Sequence, residues 1–294
     1  MRKKLRYEGR QKLVGTSFIA PWVIGFLAFT AFPLFYCLYM AMNKVTFMTD
    51  RLEMEWLWFE NFRKALFEDA EIPNKLLQTL GQSAIIIPII VVFALIMALM
   101  LNAKFPGRGL FRAIFFLPVV LTSGNLISIL TDQGQGTISF LQSETAQVLI
   151  TNLSGTWGTA LKTVLNNFLV ILWYSGVQML LLIAGMQSIN PSTFEAARID
   201  GAGKWEILWT ITLPALTPFI FISIIYTIVD QFTVSYNPVL EIITSHSKSI
   251  TTGYGYASAI AWLYFSLMLI IMGIIVLIFR KSLGIIGSSK RRQS

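Results

Sequence analysis

Side chains able to do acid–base, nucleophilic or metal chemistry are scarce in this sequence. His246 is the only histidine and Cys37 the only cysteine among 294 residues, so neither a Cys/His zinc site nor an intrachain disulfide can be assembled. The Gly203-Lys204 pair is followed by Trp205, and no G-x-x-x-x-G-K-[ST] occurs, so this chain has no phosphate-cradling P-loop. Triads and paired acids are likewise missing from its apolar runs. The expectation is a chain that is not an enzyme and holds no metal or cofactor. Its informative residues are one glutamate- and glycine-bearing loop and a few polar side chains inside otherwise apolar segments.

The loop runs from Ile189 to Pro214 and reads as helix, glycine turn, helix. Pro191 suits a first helical turn, Ser192 or Thr193 can cap its free N–H groups, and Glu195 adds favourable charge near the positive dipole end. Gly201 and Gly203 provide the backbone freedom needed to stop and turn, and Lys204 to Thr210 resumes as helix. Pro214 then opens the next apolar segment. A short alanine-rich helix before a glycine turn presents a small surface that a partner can approach closely; an ordinary helical hairpin is the plainer reading.

The intramembrane polar residues fall on two faces. Trp173, Tyr174 and Gln178 lie at i, i+1 and i+5, with Asn166 and Asn167 nearer one end of the same segment; Thr227, Asp230 and Gln231 lie at i, i+3 and i+4, with Tyr226 alongside. Polar groups are costly in lipid and tend to face a cavity or another helix. Gln178 and Gln231 are open to both readings, since amides also join spans by hydrogen bonds. Asp230, about seventeen residues into its segment, sits near an end where water is accessible.

The elements that must position these residues are membrane helices. The chain is 55% hydrophobic and 13% charged, with mean hydropathy +0.65, whereas soluble domains carry roughly a quarter charged residues. Six segments reach the roughly 20 apolar residues that a crossing needs: Val14–Met42, Leu76–Asn102, Gly109–Leu130, Thr163–Gln187, Leu213–Ser235 and Ala257–Phe279. The first is too long for a signal-peptide core. Interior prolines imply bends that neighbouring helices can satisfy. The fold class is therefore all-α, a polytopic membrane protein of six transmembrane helices. Residues 1–13 and 282–294 are basic tails; 14–281 form the membrane domain, with its loop at 189–212.

Charge sets orientation. With the spans drawn this way, sixteen lysines and arginines fall on one side and seven on the other, where ten carboxylates accompany them. Cytoplasmic loops carry the excess of Lys and Arg, so both termini and the loop at Glu195 are expected inside. The net charge of +8 reflects that topology and not nucleic-acid binding. Outside, Trp56 to Leu77 has the spacing of a surface-lying amphipathic helix or of a plain connector, and Asp132 to Lys162 reads as an exposed loop that could face a delivery protein.

The loop string Glu195-Ala196-Ala197, three residues, Gly201, nine residues, Ile211, one residue, Leu213-Pro214 resembles the EAA loop of importer permeases at every fixed position. Ala20-Pro-Trp-Val-Ile-Gly-Phe26, Glu60-Asn-Phe62, Phe115-Phe-Leu-Pro118, Leu182 to Ile189 and Ala257-Ser-Ala259 extend the likeness over nearly the whole chain. The sequence resembles the carbohydrate-type, MalF-like permeases of binding-protein-dependent ABC importers. That resemblance implies a type I importer permease fold in the bacterial inner membrane. It also implies a related second permease, two ATPase subunits carrying ATP and Mg, and an extracytoplasmic solute-binding protein. Glu195, Ala196, Ala197, Asp200 and Gly201 would be the ATPase-coupling residues. The helices flanking the loop would line the pathway, through Trp173, Tyr174, Gln178, Tyr226, Thr227, Asp230 and Gln231. Rings and neutral amides suit a sugar, whose C–H faces stack and whose hydroxyls pair. An importer permease for a non-sugar solute is the alternative. An ion-coupled transporter fits less well, because such proteins place ionisable groups near midmembrane.

Overall fold

The computed structural model describes residues 2–48, 51–103, 105–121, 168–233, 237–249 and 253–282. The expected second half of span three, the loop from Asp132 to Lys162, Asn166, Asn167 and residues 283–294 of the C-terminal tail lie outside the described residues.

Helices α1 (Arg2–Phe26) and α2 (Phe32–Ala41) are joined by a π-helical turn, Leu27–Ala31. Two strands follow, β1 (Asn43–Met48) and β2 (Arg51–Trp56), then α3 (Glu60–Arg63) and a π turn over Lys64–Glu68. Next come α4 (Glu71–Asn102), α5 (Arg108–Leu121), α6 (Phe168–Gln187), α7 (Pro191–Ile199) and α8 (Lys204–Ile207). A third π turn, Leu208–Thr212, leads into α9 (Leu213–Thr233), which precedes α10 (Pro238–Ser247) and α11 (Gly253–Phe279). Among the described residues, five helical stretches are long and apolar enough to cross a membrane: Val14–Ala41, Glu71–Asn102, Ile171–Ser188, Lys204–Thr233 and Gly253–Phe279. Of the expected third span, the described part is the helix ending at Leu121.

The structure differs from the sequence reading in three places. Trp56 to Leu77 is not one amphipathic helix: Trp56 ends a strand, α3 has four residues, and a break at Asp69 precedes α4. The hairpin is an addition to the helices; β1 pairs antiparallel with β2 from Asn43↔Trp56 to Met48↔Arg51. Alternation of Asn43 and Val45, both buried, with more exposed Lys44 and Thr46 is the pattern of a strand with one covered face. Finally, the fifth span does not begin at Pro214. Helix is continuous from Lys204 to Thr233. Proline has no N–H and its ring clashes with the carbonyl four residues back, and one extra residue in the turn ahead of it makes room for the ring. The Leu213 N–H accordingly bonds Leu208 O, and the Phe32 N–H bonds Leu27 O ahead of Pro33.

The chain forms two compact units. The first comprises residues 1–73 and 242–264. Its helix end is closed by Asn61, whose Nδ2 donates to Ala41 O at 2.9 Å and Asn43 O at 3.0 Å. Gly253 and Gly255 lie against the β1 carbonyls of Val45 and Asn43, so close that a Cβ at either glycine would collide with backbone. Tyr256 donates its hydroxyl to Asp69 Oδ2 at 2.8 Å. The other Asp69 oxygen accepts the Glu71 N–H at 2.9 Å and so starts α4. Lys64 Nζ sits 5.1 Å from the centre of the Tyr256 ring, and the His246 ring meets that ring edge-on at 5.1 Å.

The second unit comprises residues 74–241 and 265–294. Its core joins Ala94, Ala98 and Leu101 of α4 to Met179, Leu182, Ile183 and Met186 of α6 and Leu216 of α9. Small residues on α4 let helix backbones approach, which is how membrane helices pack where lipid is as apolar as leucine. Gly185 is the tightest point. A Cβ there would lie 2.6 Å from the Phe219 ring and 2.8 Å from a Leu216 methyl. These contacts fix α6 against α9, the two helices that carry the loop.

Candidate functional site: the α6–α9 loop and its flanking helices

Asn190 caps α7, its side-chain oxygen accepting the Ser192 N–H at 3.1 Å, with Pro191 in the first turn. The sequence reading placed the cap at Ser192 or Thr193. Asn190 takes it because its extended backbone, φ −62° and ψ 126°, is what a cap residue needs, while Ser192 and Thr193 already lie in the helix.

The other end of α7 is a complete Schellman motif. The Ala202 N–H bonds Ala197 O at 2.9 Å and the Gly201 N–H bonds Arg198 O at 3.1 Å, the 6→1 and 5→2 bonds of that motif. Gly201 holds φ +83°, where a side chain is strained, although a Cβ would meet nothing within 4 Å. Its requirement for glycine is therefore conformational within this chain. Gly203, extended at φ −73° and ψ 162°, then opens α8.

The loop surface is bare. Glu195, Ala196, Asp200 and Gly201 are exposed and Ala197 is half-buried. Ile199 is 86% exposed, Trp205 71% and Trp209 54%; the two indoles pack edge to face at 5.6 Å. These exposed apolar side chains give the loop a surface of the kind that marks interaction sites. Helix α8 runs through the π turn into α9 without a break, giving one helical stretch from Lys204 to Thr233.

The expected pathway residues divide between two environments. Gln178 is fully buried, and its Nε2 donates to Thr227 Oγ1 at 2.9 Å. Thr227 in turn donates to Ser223 O at 2.7 Å. Gln178 Oε1, Ser223 Oγ and Gln231 Nε2 are buried with no hydrogen-bond partner. Ser223, Thr227 and Gln231 thus form one polar row on α9 at i, i+4 and i+8. Ser223 is the member that the sequence reading missed, though that spacing was visible. Trp173 and Tyr174 pack instead with Ile86, Ile90 and Ile171. Tyr226 is exposed and Asp230 half-buried. Among the described residues, no group of three or more His, Cys, Asp or Glu side chains could hold a metal ion.

Comparison with known proteins agrees with this architecture. The family model for the binding-protein-dependent transport system inner membrane component matches residues 71–291. "Probable ABC transporter permease protein YesP" of Bacillus subtilis is 28% identical over 95% of this chain and 93% of its own length. The "Multiple sugar-binding transport system permease protein MsmF" of Streptococcus mutans is 30% identical over 90% of this chain and 93% of its own. Among solved structures, a chain of a bacterial alginate ABC transporter in complex with an alginate pentasaccharide-bound periplasmic protein superposes with TM-score 0.64. It covers 95% of this chain and 98% of that one at 18% identity.

Proposed function

Because this chain belongs to the family of binding-protein-dependent transport system inner membrane components, we propose that it is a membrane permease subunit importing a sugar or oligosaccharide. An extracytoplasmic binding protein delivers the cargo, and a related second permease completes the pathway. Two separate ATPase subunits hold the ATP and Mg, and both termini of this chain face the cytoplasm. The sugar cargo rests on the likeness to MsmF, a permease of a multiple sugar-binding transport system, and to the alginate transporter, whose periplasmic protein holds a pentasaccharide.

The observation that carries the mechanism is the exposed α7–α8 turn joined rigidly to α9. Glu195, Ala196, Ala197, Asp200 and Gly201 form the face that an ATPase subunit grips. The capped helix α7 and its closed glycine turn hold one shape, so closure of the ATPases moves them as a block. The unbroken helix from Lys204 to Thr233 then acts as a lever, rocking α9 to give alternating access.

Rocking α9 against α6 separates Gln178 from Thr227 and frees their amide and hydroxyl for cargo. The unpartnered atoms of Gln178, Ser223 and Gln231 already supply donors and acceptors that a sugar's hydroxyls can satisfy. Tyr226 supplies an exposed ring face and Asp230 an acceptor toward the outer end; Trp173 and Tyr174, packed against Ile86, Ile90 and Ile171, add ring faces once the same motion uncovers them. One interhelical bond, from Gln178 to Thr227, has to break for this opening, and the buried atoms left unpartnered lower its cost.

Reconstitution in liposomes with candidate ATPase and binding proteins tests the proposal. Uptake of labelled oligosaccharide should require ATP and the binding protein, and Glu195→Arg should abolish uptake while the protein still inserts. Uptake driven by an ion gradient without ATP would overturn it.

A further inference from the structure

We propose that Trp58, with the aromatic side chains beside it, is an interfacial anchor that holds the end of the first span at the level of the lipid headgroups. Trp58 has φ +54° and is the one non-glycine residue with positive φ among the described residues. For a bulky residue that conformation is a strained outlier, which glycine would adopt freely. Strain of this kind persists where the placement of the side chain matters. Here it puts an indole that is 65% exposed at the crest of the turn between β2 and α3.

The ring does not stand alone. Phe32 and Tyr36 stack with centroids 6.0 Å apart, Tyr36 and Tyr39 at 6.4 Å, Tyr39 and Trp56 at 5.9 Å, and Trp56 meets Trp58 edge-on at 5.5 Å. Three of these rings lie on α2 at i, i+4 and i+7, a rise of roughly 10 Å. The ladder therefore begins at hydrocarbon depth and ends where the helix gives way to the hairpin. Its lower rings belong to a span whose apolar window contains no buried residue, so the crest continues a lipid-facing surface.

The chemistry fits a headgroup layer better than a protein partner. Indole and phenol rings concentrate at membrane interfaces because each has an apolar body and a polar edge. Phe59, next to Trp58 in the chain, is exposed, and Phe67 in the following π turn is 81% exposed; both add apolar surface without polar atoms. The arginine beside the turn is already engaged: Arg63 Nη2 lies 2.6 Å from Glu60 Oε1 and 2.7 Å from Glu68 Oε1. The proposal rests on the first span crossing the bilayer and is independent of which side the turn faces.

Full-length protein in phosphatidylcholine nanodiscs provides the test. Subtracting the emission of Trp58→Phe from that of the wild type isolates Trp58 from the other seven of the chain's eight tryptophans. That difference signal should fall at least twofold with a nitroxide on a shallow acyl carbon. It should fall much less with a deep nitroxide or with aqueous acrylamide. Trp58→Gly, which removes strain and ring together, should melt higher than wild type in detergent and lose that advantage in the bilayer. Acrylamide quenching without nitroxide quenching, protection that arises only on adding the binding protein, or an equal gain for Trp58→Gly in both media would overturn the anchor. A Phe32→Trp reporter separates the premise from the proposal: if a deep nitroxide quenches it while Trp58 stays unquenched, the span crosses but the anchor is wrong.

Discussion

Replacing Gly201 isolates what the turn of the loop contributes. The added Cβ of Gly201→Ala meets no atom within 4 Å, so its cost is the backbone conformation alone. Holding an L-residue at φ +83° costs about 1–2 kcal/mol. That cost should fall on the two bonds closing the Schellman motif, from Ala202 to Ala197 and from Gly201 to Arg198. Hydrogen exchange at those two amides reads the opening free energy directly, so exchange should accelerate about 5–30-fold. Gly201→Asn should accelerate it only a few-fold, because asparagine tolerates the left-handed region. ATP-driven uptake then separates two reasons for glycine. If the turn alone matters, the Asn variant transports nearly as well as wild type and the Ala variant does not. If the ATPase approaches too closely for any Cβ, both fail, although the Asn turn is intact. Unchanged exchange in Gly201→Ala would refute the conformational argument, whatever transport does.

Two further outcomes follow from packing and charge. Gly185→Ala forces a Cβ into the Phe219 ring and Leu216 and should lower stability by about 1–3 kcal/mol. Thermal unfolding in detergent should detect this, with partial rescue by Phe219→Ala; an unshifted melting curve would show that α6 and α9 are looser than described. Burial pushes the Asp69 carboxyl up, but the Tyr256 hydroxyl, the Glu71 and Ile72 N–H groups and the His246 charge outweigh it and hold it below the ordinary carboxylate value. A depressed carboxylate stabilises the fold above its unfolded pKa and loses that contribution as pH falls through the folded one. Tyr256→Phe should therefore cost on the order of 1 kcal/mol at neutral pH and leave a shallower loss of stability between roughly pH 5 and 3. An acid transition as steep as wild type would remove Tyr256 from that account.

The sequence was most legible where one periodicity and one solvent decide the structure. Spans two, five and six were readable because long runs of Ile, Val and Leu leave the backbone no partner but itself in lipid. The α7 turn was readable because proline, alanines and glycines each limit the backbone in a known direction. The hairpin was not, since Asn43–Met48 and Arg51–Trp56 are six residues each and owe their form to tertiary partners. Asn61 supplies hydrogen bonds to Ala41 and Asn43, and Gly253 and Gly255 supply room for the β1 carbonyls. The two glycines lie more than two hundred residues from the carbonyls they meet, and no local pattern announces them. The pairing of Gln178 with Thr227 is of the same kind. Spacing placed each on a polar face, whereas the facing of α6 and α9 is fixed by Gly185 and Leu216.

Pro214 illustrates how a local rule can be right about a residue and wrong about the element. A proline after a loop reads as the start of a helix, and its missing N–H does forbid an ordinary bond to Thr210. The chain resolves this without stopping. The Leu213 N–H reaches back to Leu208 O, while the Thr212 hydroxyl bonds Ile207 O at 3.2 Å and the Thr210 hydroxyl bonds Glu206 O at 2.6 Å, so the Glu206, Ile207 and Leu208 carbonyls have partners through the widened turn. The mechanical consequence extends the first reading, in which Lys204 to Thr210 already resumes as helix ahead of Pro214. Had the chain broken at the proline, displacement of the loop would dissipate there. A helix that widens and continues can transmit torque and displacement from Trp205 to the polar row at Ser223, Thr227 and Gln231, with the π turn as its softest point.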